Sequence, residues 1–401
     1  MSGLHRLAII QREIPHYRIP FFSALQTEAQ RHGLTQTVYS GTSFDTPSTL
    51  PFTHRCLPVR YLSGGATGPC WMSGLADELA GSDIVVAPHE LQCLTVPALW
   101  LQRHRYAKSW IWWGHGYNFQ ASQRPSLGTA IVSWMKDQLI TRGHDGLITY
   151  TYRGTEYWCN RGLSVKQVIP FLNTIDVEGL WQVGREVTED RIRAMKGRLG
   201  LEGKQLLLFS GRLYAEKEVD FLLYAYALVR QSHPNTALLI LGDGVERGRL
   251  EALAVELGLQ DVHFLGAVVD ARESSVYFAA ADLLVIPGLV GLAIVHGFAF
   301  RLPLVTTERD FHSPEIEYLS QRNGIMTVHE PRAYAHEIVR VLAAPNELER
   351  LRAGCEQSAQ QLTLSASANR FMRAVLQFAK TGRSGSGTTV AWQPHSTGPR
   401  A

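Results

Sequence analysis

The chain has 401 residues, 45% hydrophobic and 19% charged, with 39 Lys+Arg against 36 Asp+Glu. That length carries two ordinary domains with a core each, and a net charge of +3 is too small to mark a nucleic-acid-binding protein. Five scattered cysteines (Cys56, Cys70, Cys93, Cys159, Cys355) form no CxxC, which excludes a zinc site of that type and fits reduced thiols in a cytoplasmic protein.

In chain order, residues 7–10 read as a buried strand and 20–32 as the helix after it. Arg6 and Arg12 bracket too short an apolar run for a signal peptide. Residues 37–39, 84–87, 110–113, 146–149 and 167–169 read as further short strands with helices or loops between them. Short apolar strands alternating with helices predict a parallel α/β sheet. Residues 186–204 are polar and read as a connecting helix.

The pattern then restarts, with strands at 206–210, 237–241, 262–265, 283–286 and 304–306 and helices at 219–231, 247–257 and 272–280. The expected division is a first domain over 1–180 and a second over 181–380. The Gly-, Ser-, Thr- and Pro-rich residues 381–401 are expected to be a disordered tail. No apolar run approaches the ~18 residues of a membrane span, so any membrane contact is expected to be peripheral. Residues 98–108, which combine Leu and Trp with three cations, are the candidate segment for it; a solvated helix flank is the other reading.

The stretch Phe209-Ser-Gly-Arg-Leu-Tyr-Ala-Glu-Lys217 carries the most chemistry. A buried strand runs into a turn at Gly211 that delivers Arg212 and, five residues on, Lys217 at the start of a helix. Two cations and helix-start amides at the end of a parallel strand suit a diphosphate. A solvated surface turn is the alternative. Leu241-Gly-Asp-Gly244 and Val262-His-Phe-Leu-Gly266 end two further strands.

Together these segments resemble the nucleotide-sugar-binding half of glycosyltransferase family 4, retaining enzymes of the GT-B fold, over about residues 205–330 and more loosely over 1–180. The resemblance implies two Rossmann-like domains facing a cleft. It also implies a nucleotide-sugar donor as co-substrate with no further cofactor, and Arg212 and Lys217 gripping the donor diphosphate beside Gly211 and Gly242. The family usually carries two glutamates eight positions apart around a glycine turn. Here Pro287-Gly-Leu-Val-Gly-Leu-Ala-Ile-Val-His296 puts Gly288 and His296 at those positions. Gly288, Gly291 and Leu292 are expected to present backbone amides to a phosphate or hexose. His296 is expected to reach the ribose, since an imidazole offers a donor and an acceptor.

Downstream, His312-Ser-Pro-Glu-Ile-Glu317 supplies Glu315, or less favourably Glu317, for the sugar contact that the first glutamate makes in the family. In the first domain the loop Ile14-Pro-His-Tyr-Arg-Ile-Pro20 offers His16 and Arg18 on the acceptor side. His115, between Gly114 and Gly116 at a strand end, resembles the family histidine that lies near the reacting sugar carbon. His89-Glu90 ranks below it, and Asn173 and Asp176 are as fit to cap and link as to bind. No Asp-x-Asp occurs, so no metal is expected to hold the diphosphate.

The expected activity is metal-independent, retaining transfer of a sugar to a glycan or lipid-linked acceptor, in surface polysaccharide or lipopolysaccharide assembly on the inner face of the cell membrane. A non-catalytic nucleotide- or partner-binding protein of the same fold is the alternative. The missing glutamates favour that alternative, and the retained cations and glycine turn oppose it.

Overall fold

The computed structural model describes residues 6–41, 49–62, 68–89, 92–116, 127–142 and 145–381. The expectations for residues 382–401 and for Glu90 lie outside them. Two compact units emerge, residues 1–172 with 368 onward, and residues 173–367.

Unit 1 holds β1 (Arg6–Ile10), β2 (Thr35–Gly41), β3 (His54–Leu57), β4 (Val59–Tyr61), β5 (Cys70–Met72), β6 (Ile84–Pro88), β7 (Ser109–Gly114), β8 (Gly146–Thr149) and β9 (Val168–Pro170). Seven of these strands form one parallel sheet in the order β3-β2-β1-β6-β7-β8-β9, while β4 and β5 make a separate antiparallel hairpin. Every residue of β7 is buried, as a strand covered on both faces requires. Trp110 and Trp112 enter a cluster with Leu147 and Trp158. Trp113 points the other way, into a ring of Phe21, Phe22, Phe171 and Phe371.

Phe371 belongs to the last helix, Leu364–Thr381, and its ring centre is 5.0 Å from that of Trp113. A side chain on Gly146 would collide with Phe378 of the same helix. This helix, expected within the second domain, therefore completes the core of unit 1 with its residues from Ala368 on. The boundary falls at Leu172–Asn173 rather than near 180.

Unit 2 holds β10 (Gln205–Ser210), β11 (Thr236–Leu241), β12 (Val262–Gly266), β13 (Leu283–Val285), β14 (Leu304–Thr307) and β15 (Gly324–Thr327). All pairings are parallel, in the order β12-β11-β10-β13-β14-β15. Numbered within the unit this is 3-2-1-4-5-6, the Rossmann order, whose ligand crevice opens where the order reverses. Here that point is the pair of loops leaving β10 and β13. Before the sheet come two helices, Val177–Arg185 and Glu189–Leu199, the second of them within the connecting helix expected over 186–204. The second begins at Thr188, whose hydroxyl accepts from the Arg191 amide, and ends at the left-handed Gly200.

Among the described residues no helix is long and apolar enough to cross a membrane. The segment 98–108 forms no single amphipathic helix. It contains the end of the helix Thr95–Trp100 and a separate turn Arg103–Arg105, with Leu101 71% exposed and Arg103 laid over the Trp100 ring.

Candidate functional site

At the switch point of unit 2, the turns after β10 and β11 touch backbone to backbone. The Gly211 amide donates to the Leu241 carbonyl at 3.0 Å and the Leu213 amide to that of Asp243 at 2.9 Å. A Cβ on Gly242 would overlap the Gly211 carbonyl, so no other residue fits there. The contact fixes Arg212 at the sheet edge, where its exposed guanidinium donates to the Tyr214 hydroxyl at 2.7 Å.

Lys217 ends the short turn Ala215–Lys217 and precedes the helix Val219–Ser232. Its Nζ donates to the Leu289 carbonyl at 2.5 Å. Burial lowers its pKa to about 8, weakly opposed by the charge of Glu216. A desolvated ammonium held by a carbonyl instead of a carboxylate is a strong attractor for an anion. The next residue, Glu218, takes a left-handed conformation with φ 52° and pairs with Arg309 from the loop after β14.

The turn after β13 closes over Lys217. Leu289 donates its amide to the Glu216 carbonyl at 2.8 Å, and a Cβ on Gly288 would overlap that carbonyl and the Lys217 backbone. Gly288 thus serves the close contact between two turns. Gly291 has room, with Ser313 Oγ 3.6 Å from where a Cβ would stand. Leu292 leads into the helix Ala293–Ala299. His312 braces this turn from the far side: its Nδ1 accepts the Val290 amide at 3.1 Å and its Nε2–H donates to the Thr307 carbonyl at 2.7 Å. Thr307 Oγ1 donates to the Pro287 carbonyl at 2.7 Å.

The His296 ring stacks on Phe278 at 3.9 Å and 4°, with Phe300 at 5.7 Å, and Nε2 is buried without a hydrogen-bond partner. Burial drops its pKa to about 4. Its Nε2 is turned into this packing, while the residue as a whole is half-buried.

Glu315 is 4% exposed, in the turn Pro314–Tyr318, and its Oε1 accepts from Asn173 Nδ2 at 2.6 Å. Ser313, two residues earlier, donates its amide to the Val290 carbonyl at 3.0 Å, which ties this turn to the glycine turn. Glu317 is only half-buried. Asp176 caps the helix Val177–Arg185, accepting from the Gly179 amide at 2.9 Å.

In unit 1 the order reverses between β1 and β6, and polar residues gather at that sheet edge. Arg18 is 5% exposed, its guanidinium 4.9 Å from the Trp113 ring centre and 4.8 Å from that of Tyr150. His115 meets Tyr150 edge to face at 3.9 Å. His89 Nε2–H donates to the His115 carbonyl. His16 stands exposed on the turn that carries Arg18. Tyr150 belongs to no motif in the sequence, although its place directly after a strand was the available signal.

Burial, then the charges of Arg18 and Lys136, lower the His115 pKa to about 3. Burial holds that of His89 well below its usual value. Below the unfolded pKa near 6.5 the unfolded chain binds protons that these rings refuse, so their contribution is full above pH 6.5 and is lost as pH falls, toward about 3 for His115. The expected slope is up to about 1.4 kcal/mol per pH unit for each ring. Thermal unfolding followed by tryptophan fluorescence should show it, since seven of nine Trp lie before residue 180. An unchanged acid dependence in the double variant His89→Gln/His115→Gln would refute the assignment.

A chain of two Rossmann-like units with an anion-attracting switch point in the second has the GT-B fold. Consistent with this, residues 204–344 match the family model described as glycosyl transferases group 1. The chain is similar to D-inositol 3-phosphate glycosyltransferase of Streptomyces bingchenggensis, with 30% identity over 190 residues, covering 42% of this chain and 40% of the relative. It is 29% identical over 148 residues to the GDP-mannose-dependent alpha-(1-6)-phosphatidylinositol dimannoside mannosyltransferase of Mycobacterium tuberculosis, covering 36% of this chain and 37% of that one. The chain thus spans about two fifths of the length of these relatives. Among solved structures, Anabaena HepE in complex with UDP shares the fold, with TM-score 0.71, 16% identity and coverage of 93% of this chain and 99% of that one.

Proposed function

We propose that the protein is a glycosyltransferase that takes a nucleotide-sugar donor on unit 2 and transfers the sugar, with retention and without a metal, to a glycan or lipid-linked acceptor engaged by unit 1. The observation that carries this reading is the pair Arg212 and Lys217 at the switch point of a 3-2-1-4-5-6 sheet, with the lysine desolvated and held only by a carbonyl. Breaking the sugar–phosphate bond leaves charge on the departing diphosphate, and fixed cations stabilise that charge where it develops. Glu315 meets the sugar hydroxyls. His115, neutral at working pH, orients the reacting groups by hydrogen bonding and does not carry a proton as an imidazolium.

The match of residues 204–344 and the UDP held by HepE support the donor class. The inositol phosphate and phosphatidylinositol mannoside in the relatives' names support a polyol or lipid-linked acceptor. The setting is surface polysaccharide or lipopolysaccharide assembly, at the cytoplasmic face of the membrane.

The test is a panel of UDP-, GDP- and ADP-sugars offered to the full chain, reading both binding and slow hydrolysis, with membrane extract supplying acceptors. Saturable binding and turnover of one donor is the expected result. Binding without turnover of any donor would favour a non-catalytic nucleotide-binding protein.

A further inference from the structure

Glu315 is seated by a residue 142 positions earlier in the chain. Asn173, the first residue of unit 2, follows Leu172, whose φ is 61°. Asn173 is 5% exposed and Glu315 4% exposed. The Asn173 Nδ2 donates to Glu315 Oε1 at 2.6 Å, and the Asn173 carbonyl accepts the Tyr318 hydroxyl at 2.9 Å. Glu315 and Tyr318 lie in the same short turn, Pro314–Tyr318. The backbone of Asn173 is therefore registered on the turn by Tyr318, while its side chain addresses the acid. The neighbouring Thr174 hydroxyl donates to the Leu362 carbonyl at 2.5 Å, a second anchor for this segment.

Two anchors already tie the segment down through carbonyls, so tethering alone does not require an amide aimed at a carboxylate. An amide N–H on one oxygen fixes how the carboxylate is turned. We propose that Asn173 is a positioning residue that holds the Glu315 carboxylate oriented toward the hydroxyls of the donor sugar. This rests on the reading of the protein as a glycosyltransferase in which Glu315 meets the sugar.

The experiment uses the full chain and whichever sugar nucleotide of the panel the wild type turns over. It measures kcat, the donor KM and the melting temperature for Asn173→Ala, Asn173→Asp, Glu315→Gln and the double variant Asn173→Ala/Glu315→Gln. Misplacing a group at the reacting centre by about 1 Å costs roughly 100-fold, so Asn173→Ala should lose about 10- to 100-fold in kcat. Because Asn173 acts through Glu315, the double variant should be no slower than Glu315→Gln within about twofold.

Asn173→Asp gives a readout that a tether would not. Two carboxyls at hydrogen-bond distance share a proton. At low pH the introduced acid is protonated and donates to Glu315 as the amide does; at higher pH both acids ionise and repel. The kcat of this variant relative to wild type should therefore be highest near about pH 5.5 and fall as pH rises, at temperatures below its melting point. This also decides the matter should Asn173→Ala fail to fold.

Wild-type kcat in folded Asn173→Ala, or a pH-independent ratio for Asn173→Asp, overturns the proposal while leaving the glycosyltransferase reading intact. A wild type that turns over no donor overturns both.

Discussion

Replacing Lys217 with alanine is expected to slow sugar transfer by about 2–4 kcal/mol in activation free energy, roughly 10²- to 10³-fold, with Arg212→Ala acting in the same direction. The lysine has a sharper signature as well. In the free protein it titrates near pH 8, because burial disfavours its charged form and only a carbonyl and the smaller pull of Glu216 support it. A bound diphosphate supplies the missing counter-charge and returns the pKa toward the ordinary value near 10.4. Binding of the donor nucleotide must then take up protons: close to none at pH 6.5, about half a proton at pH 8 and most of one at pH 9. Calorimetric titration with UDP or the active sugar nucleotide, in two buffers of different ionisation enthalpy, reads that number directly. Binding of unchanged strength with no proton uptake at pH 8 and 9 would remove Lys217 from the diphosphate site.

The parts of this site legible in the sequence are those fixed by short-range chemistry. The apolar run before Gly211, the cations at fixed offsets and the glycines after β11 all lie within a few residues of one another, and strand-then-turn patterns of that kind survive any tertiary arrangement. What escaped depends on contacts between distant segments. Nothing local in Leu364–Thr381 says which core it joins; Phe371 and Phe378 decide that only by meeting Trp113 and Gly146. The hairpin of β4 and β5 is too short to carry a period. His296 reads as a polar ligand because its type suits a ribose; that its ring also stacks on Phe278, on a helix eighteen residues earlier in the chain, is set by tertiary packing alone. Asn173 and Asp176 look alike in the sequence, each fit to cap or to bind. Asp176 is a cap, and Asn173 binds an acid far along the chain.

The glycine at position 288 yields the second large effect. Family resemblance suggests that installing a glutamate there would repair a lost donor contact; the packing predicts the opposite. A Cβ at this position overlaps the Glu216 carbonyl and the Lys217 backbone, and those atoms are not free to yield. The Glu216 carbonyl is bonded to the Leu289 amide at 2.8 Å, the Lys217 amide donates to the Tyr214 carbonyl at 3.0 Å, and Glu218 is already in a left-handed conformation held by Arg309. Overpacking a close backbone contact typically costs about 1–3 kcal/mol, and Gly288→Ala should show most of it, because the Cβ alone makes the clash. Gly288→Glu should melt earlier still. It should also bind donor nucleotide more weakly, since relieving the clash pushes the Lys217 turn off the sheet edge and breaks its bond to the Leu289 carbonyl. Thermal unfolding and UDP binding on both variants measure this. A Gly288→Glu protein as stable as wild type, with tighter donor binding, would mean that the turn can open to admit a carboxylate. Otherwise the acid that serves the sugar has to approach from another strand end. In the proposed function that acid is Glu315, whose turn is tied to the glycine turn by Ser313 and whose carboxylate is bonded by Asn173.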